Sequence, residues 1–255
     1  MIVDVNVNLS RWPFRRLPHD ETPQLIEKLR KSGITEAWAG SFDGLLHQDV
    51  AAVNARLAAE CRSSSGFLRP VGTINVRLPD WQDDVRRCVE VHGMPAIRLH
   101  PNYHSYDLSF PDVDELFLLA EDRQIIIQLV VKMEDVRTHH PLMRVPTLDV
   151  TSLDSLIRRH PRVRLVILNG SDTITPSAAA TLATIGEVYF DISHAEQIGA
   201  LDQLVRTVPY ERLLFGSHFP FFNLESALLK FRESELGVAV TTAIQSGNAA
   251  KLMGM

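Results

Sequence analysis

Polar and apolar positions alternate from the start of the chain. In Ile2-Val3-Asp4-Val5-Asn6-Val7-Asn8 the valines fall on one parity and Asp4, Asn6 and Asn8 on the other. A period of two predicts a strand with those sets on opposite faces. Carboxamides at i and i+2 near the end of a buried strand are costly unless paired or used. The same patterning continues along the chain. A polar loop, Ser10 to Thr22, leads to a helix from about Pro23 to Lys31 that Gly33 ends, followed by a strand Glu36 to Ala39 and a helix Asp49 to Arg62. Next come strand Arg69 to Ile74, helix Asp80 to Val91, strand Ala96 to His100 and helix Asp112 to Asp122. Ile125 to Val131 is an apolar run broken only by Gln128, the pattern of a buried parallel strand. Helix Ser152 to Arg159, strand Val163 to Leu168, a helix within Pro176 to Thr184, strand Glu187 to Ile192, a helix about Glu196 to Val208 and strand Arg212 to Phe215 complete the series. From Leu224 onward the pattern is helical with a break at Gly237.

Eight strands alternating with helices predict an α/β chain folded as an eightfold β/α (TIM) barrel, in one domain spanning 1-255. The rival is a doubly wound sheet. It loses its nucleotide-binding versions, because no Gly-x-Gly-x-x-Gly follows the first strand and no phosphate-loop motif occurs.

Charge and cysteine content narrow the function classes. A net charge of −5 and scattered basic residues make nucleic acid an unexpected partner. No apolar run approaches a membrane span, and a strand beginning at residue 2 is expected to leave no room for a signal peptide. Cys61 and Cys88, the only cysteines, lie in helical segments, consistent with a reduced, cytoplasmic setting. A homo-oligomer is left open.

Barrel chemistry is built at the C-terminal ends of the strands. Of ten histidines, eight fall in such places: His19, His47, His100, His104, His139, His140, His194 and His218. His92 and His160 lie at helix ends, where an imidazole suits the helix dipole. Loops are polar in any case, so each histidine alone is more simply a loop residue, whereas the set marks a functional face.

The residues that follow the last strand, Phe215-Gly216-Ser217-His218-Phe219-Pro220, resemble the Gly-Ser-Asp-x-Pro signature of the amidohydrolase superfamily, in its branch of small decarboxylases and lactone hydrolases. Ser246-Gly247-Asn248-Ala249-Ala250-Lys251-Leu252 resembles the Gly-Asn-Ala-x-x-Leu ending of the same branch. The resemblance implies a metal-dependent barrel, yet this chain departs from it at every inherited ligand or catalytic position. Asn6 and Asn8 stand for a His-x-His pair, Gln128 and Asn169 for histidines on the fifth and sixth strands, and His218 for an aspartate after the eighth. Zinc takes imidazole, thiolate or carboxylate, and a neutral carboxamide is a poor substitute. No cofactor and no metal in the ancestral position are therefore expected. The four carboxamides are expected to hydrogen-bond to one another and fill the vacated mouth.

Two functions follow. One is a metal-independent hydrolase of a small lactone or carboxylate, with His218 as the proton-transferring base and His100 beside it. Arg98 shares a strand face with His100, while Arg11, Arg15 and Arg16, interleaved with Trp12 and Phe14, are candidates for an anion clamp and an apolar wall. Asn6, Asn8, Gln128, Asn169 and His194 join the expected binding set for a small anionic molecule. Arg98 has a plainer alternative as a structural partner of Asp191 or Asp4, and the loop arginines as solvated charges. The other function is a non-catalytic barrel that binds a small ligand or a protein partner. A mouth filled by packed side chains would favour it over catalysis. A relocated metal site from His139, His140, Glu134 or Asp135 with His104 or His194 is a lesser alternative.

Overall fold

The computed structural model describes residues 1–254. Eight parallel strands run in sequential order: β1 (Val3–Leu9), β2 (Glu36–Ser41), β3 (Leu68–Ile74), β4 (Ala96–Leu99), β5 (Ile126–Val130), β6 (Arg164–Leu168), β7 (Val188–Asp191) and β8 (Leu213–Leu214). Between β8 and β1 the sheet nearly closes. Val5 N–H donates to the Phe215 carbonyl at 3.0 Å, Asn8 N–H to the Phe219 carbonyl at 3.0 Å, and Val7 bridges Phe219 in parallel. The fold is the eightfold β/α barrel that the alternation predicts.

The helices are α1 (Thr22–Lys31), α2 (Val50–Arg62), α3 (Trp81–Arg86), α4 (Pro111–Arg123), α5 (Leu153–Arg159), α6 (Pro176–Ile185), α7 (Ala200–Thr207), α8 (Leu224–Glu233), α9 (Val238–Thr242) and α10 (Asn248–Leu252). Two expected helices differ. The third is α-helical only to Arg86 and continues as a π-turn over Arg87–Val91. The seventh begins at Ala200 rather than near Glu196, because Gly199, with φ +65°, takes the left-handed position just before it.

Two apolar layers build the core. The larger lies between strands and helices and includes Val7, Leu9, Leu25, Leu57, Ile97, Phe117, Leu129 and Ile167. The smaller includes Val3, Val5, Trp38, Val71, Ala96, Ile126, Val166 and Leu214, with Leu252 of α10 against it. Val5 and Val7 therefore belong to different layers, which a plain period of two does not allow. The cause is an extra residue in β1: Asp4 and Val7 pair with Ala37 and Ala39, so three steps on β1 match two on β2. Such a bulge shifts the parity of every side chain beyond it.

Strand β2 pairs with β3 only as far as Ala39 and Pro70, while β3 runs on beside β4 to Ile74 and Leu99. The free edge at Thr73 is covered from α2. Asn54 Nδ2 donates to the Thr73 carbonyl at 2.9 Å, and Thr73 N–H donates to Asn54 Oδ1 at 2.8 Å. At the other end of the chain Asn248 Nδ2 donates to the carbonyls of Tyr210 and Leu213, at 2.7 and 2.8 Å. The asparagine of the Gly-Asn-Ala motif thus holds β8 in place. Both cysteines are buried and unbridged, and burial pushes each thiol up to about 12. No helix among the described residues is long and apolar enough to cross a membrane.

Candidate functional site: a polar layer under an aromatic plug

The bulge in β1 brings Asn6 and Asn8 to the barrel interior, where they meet polar groups from β4 to β8. Asn6 Nδ2 donates to Asn169 Oδ1 and to Asp191 Oδ2, each at 2.7 Å. Asn169 Oδ1 also accepts from Ser193 Oγ at 2.9 Å, and its Nδ2 donates to the Lys132 carbonyl at 2.8 Å. Asn8 and Gln128 belong to a second group, centred on Arg98. Arg98 Nε donates to Gln128 Oε1 at 2.7 Å, and its Nη1 donates to Asn8 Oδ1 at 2.8 Å and the Val7 carbonyl at 3.2 Å. Gln128 Nε2 in turn donates to the Val5 carbonyl at 2.9 Å.

The expected carboxamide network therefore exists in two parts rather than one. Of the four amides only Asn6 and Asn169 touch directly; Asn8 and Gln128 are joined through a guanidinium. The Arg98 ion pair with Asp191 or Asp4 considered from sequence does not form: Nε and Nη1 take two carboxamide oxygens and a backbone carbonyl, and Nη2 is buried without a partner. Asp4 accepts from the Ser217 hydroxyl and backbone N–H and from Asn6 N–H. Asp191 accepts from Asn6 and from Asn169 N–H.

Burial dominates the ionisation of this layer. Desolvation pushes the Asp4 carboxyl up to about 7 against its hydrogen bonds, and raises Asp191 as well. It lowers Arg98 to about 10, and depresses His100 well below the usual imidazole range. His218 is brought down to about 3, first by burial and then by the neighbouring His194. Its Nε2 lies 2.6 Å from the Met133 carbonyl and its Nδ1 3.4 Å from Asn169 Nδ2. The neutral ring thus donates at Nε2 and accepts at Nδ1. Both His218 and Asn169 hold left-handed backbone, each with φ +58°, at the ends of β8 and β6.

Aromatic side chains close the mouth above this layer. Trp12, buried at 3% exposure, packs edge-on against Phe14, Phe42, Tyr103 and Phe221, with ring centroids 4.9 to 6.3 Å apart. Phe221 stacks on the His218 ring at 5.0 Å, and Tyr103 meets His100 edge-on at 6.5 Å. His218 is 0% exposed and His100 1%. Five clefts on the described surface have linings that include none of His218, His100 and Arg98.

The arginines expected to form an anion clamp each meet a carboxylate, two within the same loop and one from the loop after β5. Arg11 pairs with Glu21, Arg16 with Asp20, and Arg15 with Glu134 at 2.5 Å. Arg11 is exposed and stands apart from the polar layer. Trp12 belongs to the plug rather than to a substrate wall. The proposed relocated metal cluster is dispersed as well. Glu134 and Asp135 are held by Arg15 and Arg137, His140 stacks on Phe14, and His104 Nε2 lies 2.9 Å from the Gly44 carbonyl. Among the described residues no group of three or more His, Cys, Asp or Glu is placed to hold a metal ion.

His194 faces a different space. A cleft of about 330 Å³ lies between the segments that follow β6 and β7, lined by Ser171, Asp172, His194, Glu196, Gln203 and Leu204 among others. His194 Nδ1 is 3.7 Å from Asp172 Oδ2, and its buried Nε2 has no partner. Asp172 stays below the usual carboxylate range: burial works against this, but His194 and the paired Lys132 outweigh it.

The sequence reading overlooked Phe221, Ser193 and Lys132, and gave Asp4 and Asp191 only the role of partners for Arg98. Asp4 was not reachable by parity from Asn6, since the bulge lies between Asp4 and Val7. Phe221 carried no signal beyond being an aromatic residue close after His218.

Comparison with known proteins agrees with this architecture. Residues 13–255 match the amidohydrolase family. The chain belongs to that family. No curated protein matches it. Among solved structures, the chain shares its fold with 2,6-dihydroxybenzoate decarboxylase from Rhizobium, at 15% identity and TM-score 0.77 over 99% of this chain and 98% of that one. The 5-carboxyvanillate decarboxylase from Sphingomonas paucimobilis superposes with TM-score 0.82 at 12% identity, covering 100% and 99%. A dihydroxybenzoic acid decarboxylase from Polaromonas, solved with bound manganese and the inhibitor 2-nitroresorcinol, gives 0.78 at 12% identity over 99% and 96%. At these identities the likeness is one of fold.

Proposed function

We propose that this amidohydrolase works without a metal, that its barrel axis no longer turns over substrate, and that it binds a small molecule in the cleft beside His194. The observation that carries this reading is the mouth. The candidate base His218 is fully buried with both ring nitrogens engaged, beneath a packed aromatic plug. A base needs a free lone pair within reach of a substrate proton.

The residues present do not fit a metal. The amide oxygens of Asn8, Gln128 and Asn169 already accept N–H or O–H donors, and Asp4 is saturated by Ser217 and Asn6. The metal chemistry of the family therefore enters no step here.

The cleft supports the binding half of the proposal. Its volume lies in the range of small-molecule sites, and apolar Ala195, Ala200 and Leu204 line it together with a few polar groups. His194 lines the cleft, but its unpartnered Nε2 is buried, so a ligand hydroxyl or amine reaches that nitrogen only when the ring turns toward the cleft. Glu196 in the same wall points to a neutral or amine-bearing ligand rather than the anion expected from sequence.

The left-handed backbone at Asn169 and His218 favours a second reading. Strained residues of this kind cluster at reaction sites. On that reading the plug lifts and His218 acts on a small lactone or carboxylate without metal.

One panel separates the two. Lactones, small carboxylic acids, small amines and small alcohols are incubated with the protein in chelator, and both turnover and thermal stabilisation are measured for wild type, His194→Ala and His218→Ala. Stabilisation by an amine or alcohol that His194→Ala removes, with no turnover, supports the binding reading. Chelator-resistant turnover that His218→Ala abolishes would overturn it in favour of the second.

A further inference from the structure

Arg98 is a cation sealed inside the barrel, with Nε and Nη1 met by oxygens and Nη2 buried without a partner. The register sets Arg98 beside Gln128 on the neighbouring strand, and the bulge in β1 turns Asn8 toward it from the other side. Its guanidinium takes the oxygens of Asn8 and Gln128 at 2.8 and 2.7 Å, with the Val7 carbonyl at 3.2 Å. Gly40 on β2 leaves the slot. A Cβ at that position would lie 2.6 Å from Nη1 and 2.9 Å from Cζ, closer than atoms pack.

Asn8 and Gln128 are two of the positions at which the family resemblance implies metal ligands. Both now present amide oxygen, an acceptor well matched to guanidinium N–H and poorly matched to zinc. We infer that Arg98 is the resident cation of this barrel, so that the carboxamides at Asn8 and Gln128, the glycine at position 40 and the arginine form one exchange of a metal ion for a guanidinium. A metal and this side chain need the same lone pairs and exclude each other. The inference goes beyond the proposed function, since it holds whether or not the cleft beside His194 binds anything.

Two chains test it. One carries Asn6→His, Asn8→His, Gln128→His and His218→Asp with Arg98 retained; the other adds Arg98→Met. Each is titrated with cobalt(II), read by its visible absorption, and with zinc, read by direct metal analysis. The Arg98→Met chain is expected to bind one ion, and the chain that keeps Arg98 to bind it roughly 100-fold more weakly or worse. Equal affinity in the two would overturn the inference.

Wild-type protein gives a second readout that needs no variant to fold. In arginine-labelled protein the Arg98 Nε–H, buried against Gln128, is expected to exchange slowly and to keep its resonance through excess zinc or manganese. Loss or displacement of that resonance on adding either metal would overturn the inference, and so would fast exchange in the metal-free protein.

Discussion

At the scale of single residues, Gly40 leaves no room beside Arg98 for a side chain of its own. A methyl group at residue 40 has to displace the guanidinium or the strand, since the guanidinium is held on both sides by amide oxygens. Gly40→Ala is expected to lower unfolding free energy by about 1–3 kcal/mol, the usual cost of overpacking a filled interior. Urea unfolding measures it, and a loss indistinguishable from zero would show that the slot is loose.

His218 makes a prediction about pH. Its folded-state value of about 3 lies below the ordinary 6.5, so in that interval the unfolded chain binds a proton that the folded chain refuses. This contribution therefore weakens stability as pH falls through the window. Asp4, held at about 7, has the opposite sign: the folded chain keeps a proton there that the unfolded chain releases, and stability falls as pH rises toward 7. The difference between wild type and His218→Gln isolates the histidine. Relative to wild type, the variant is expected to gain on the order of 2 kcal/mol between pH 6.5 and about 5. Parallel pH profiles of the two proteins would contradict the buried, neutral assignment.

Among the elements, β1 shows both how far the sequence carries and where it stops. Its alternation announced a strand and put Asn6 and Asn8 on one face, as found. Nothing in Val3 to Asn8 signals the bulge, because the extra residue is fixed by pairing with Ala37 and Ala39, which lie far along the chain. The same limit applies to the short end of β2. Its early departure leaves Thr73 to be capped by Asn54, a polar residue in a helix otherwise read by its apolar face. Asn54→Leu keeps the volume but leaves the Thr73 N–H and C=O without partners. A loss of about 1–3 kcal/mol is expected, with the β3 amides near Thr73 becoming the first to exchange with solvent. Protection there equal to wild type would show that water or another side chain takes over.

For the molecule as a whole, the barrel was legible because eight strand-helix alternations leave few other folds, and the family because two short motifs lie where the last strand and last helix end. The contents of the mouth were half legible. Residue types put carboxamides and a histidine where the family resemblance implies metal ligands and an aspartate, and parity put Arg98 and His100 on one face. What could not be read was the partner of each polar group: Arg98 takes amides rather than Asp4 or Asp191, and the loop arginines take Glu21, Asp20 and Glu134 rather than a substrate. Arg16–Asp20 and Arg11–Glu21 are local pairs within the first loop, whereas the Arg98 contacts and the Arg15–Glu134 pair depend on distances between segments far apart in sequence. The aromatic plug is of the same kind, since Trp12, Phe42, Tyr103 and Phe221 come from four separate loops and meet only in the folded barrel.

The central claim is that hydrogen-bonded amides and a guanidinium fill the place where the family resemblance implies a metal centre. Its most direct test is metal analysis of untagged wild-type protein after dialysis against zinc and, separately, manganese, followed by metal-free buffer. The account predicts no stoichiometric metal in either sample. One tightly held ion per chain, lost when Asn8 and Gln128 are changed to alanine, would contradict it.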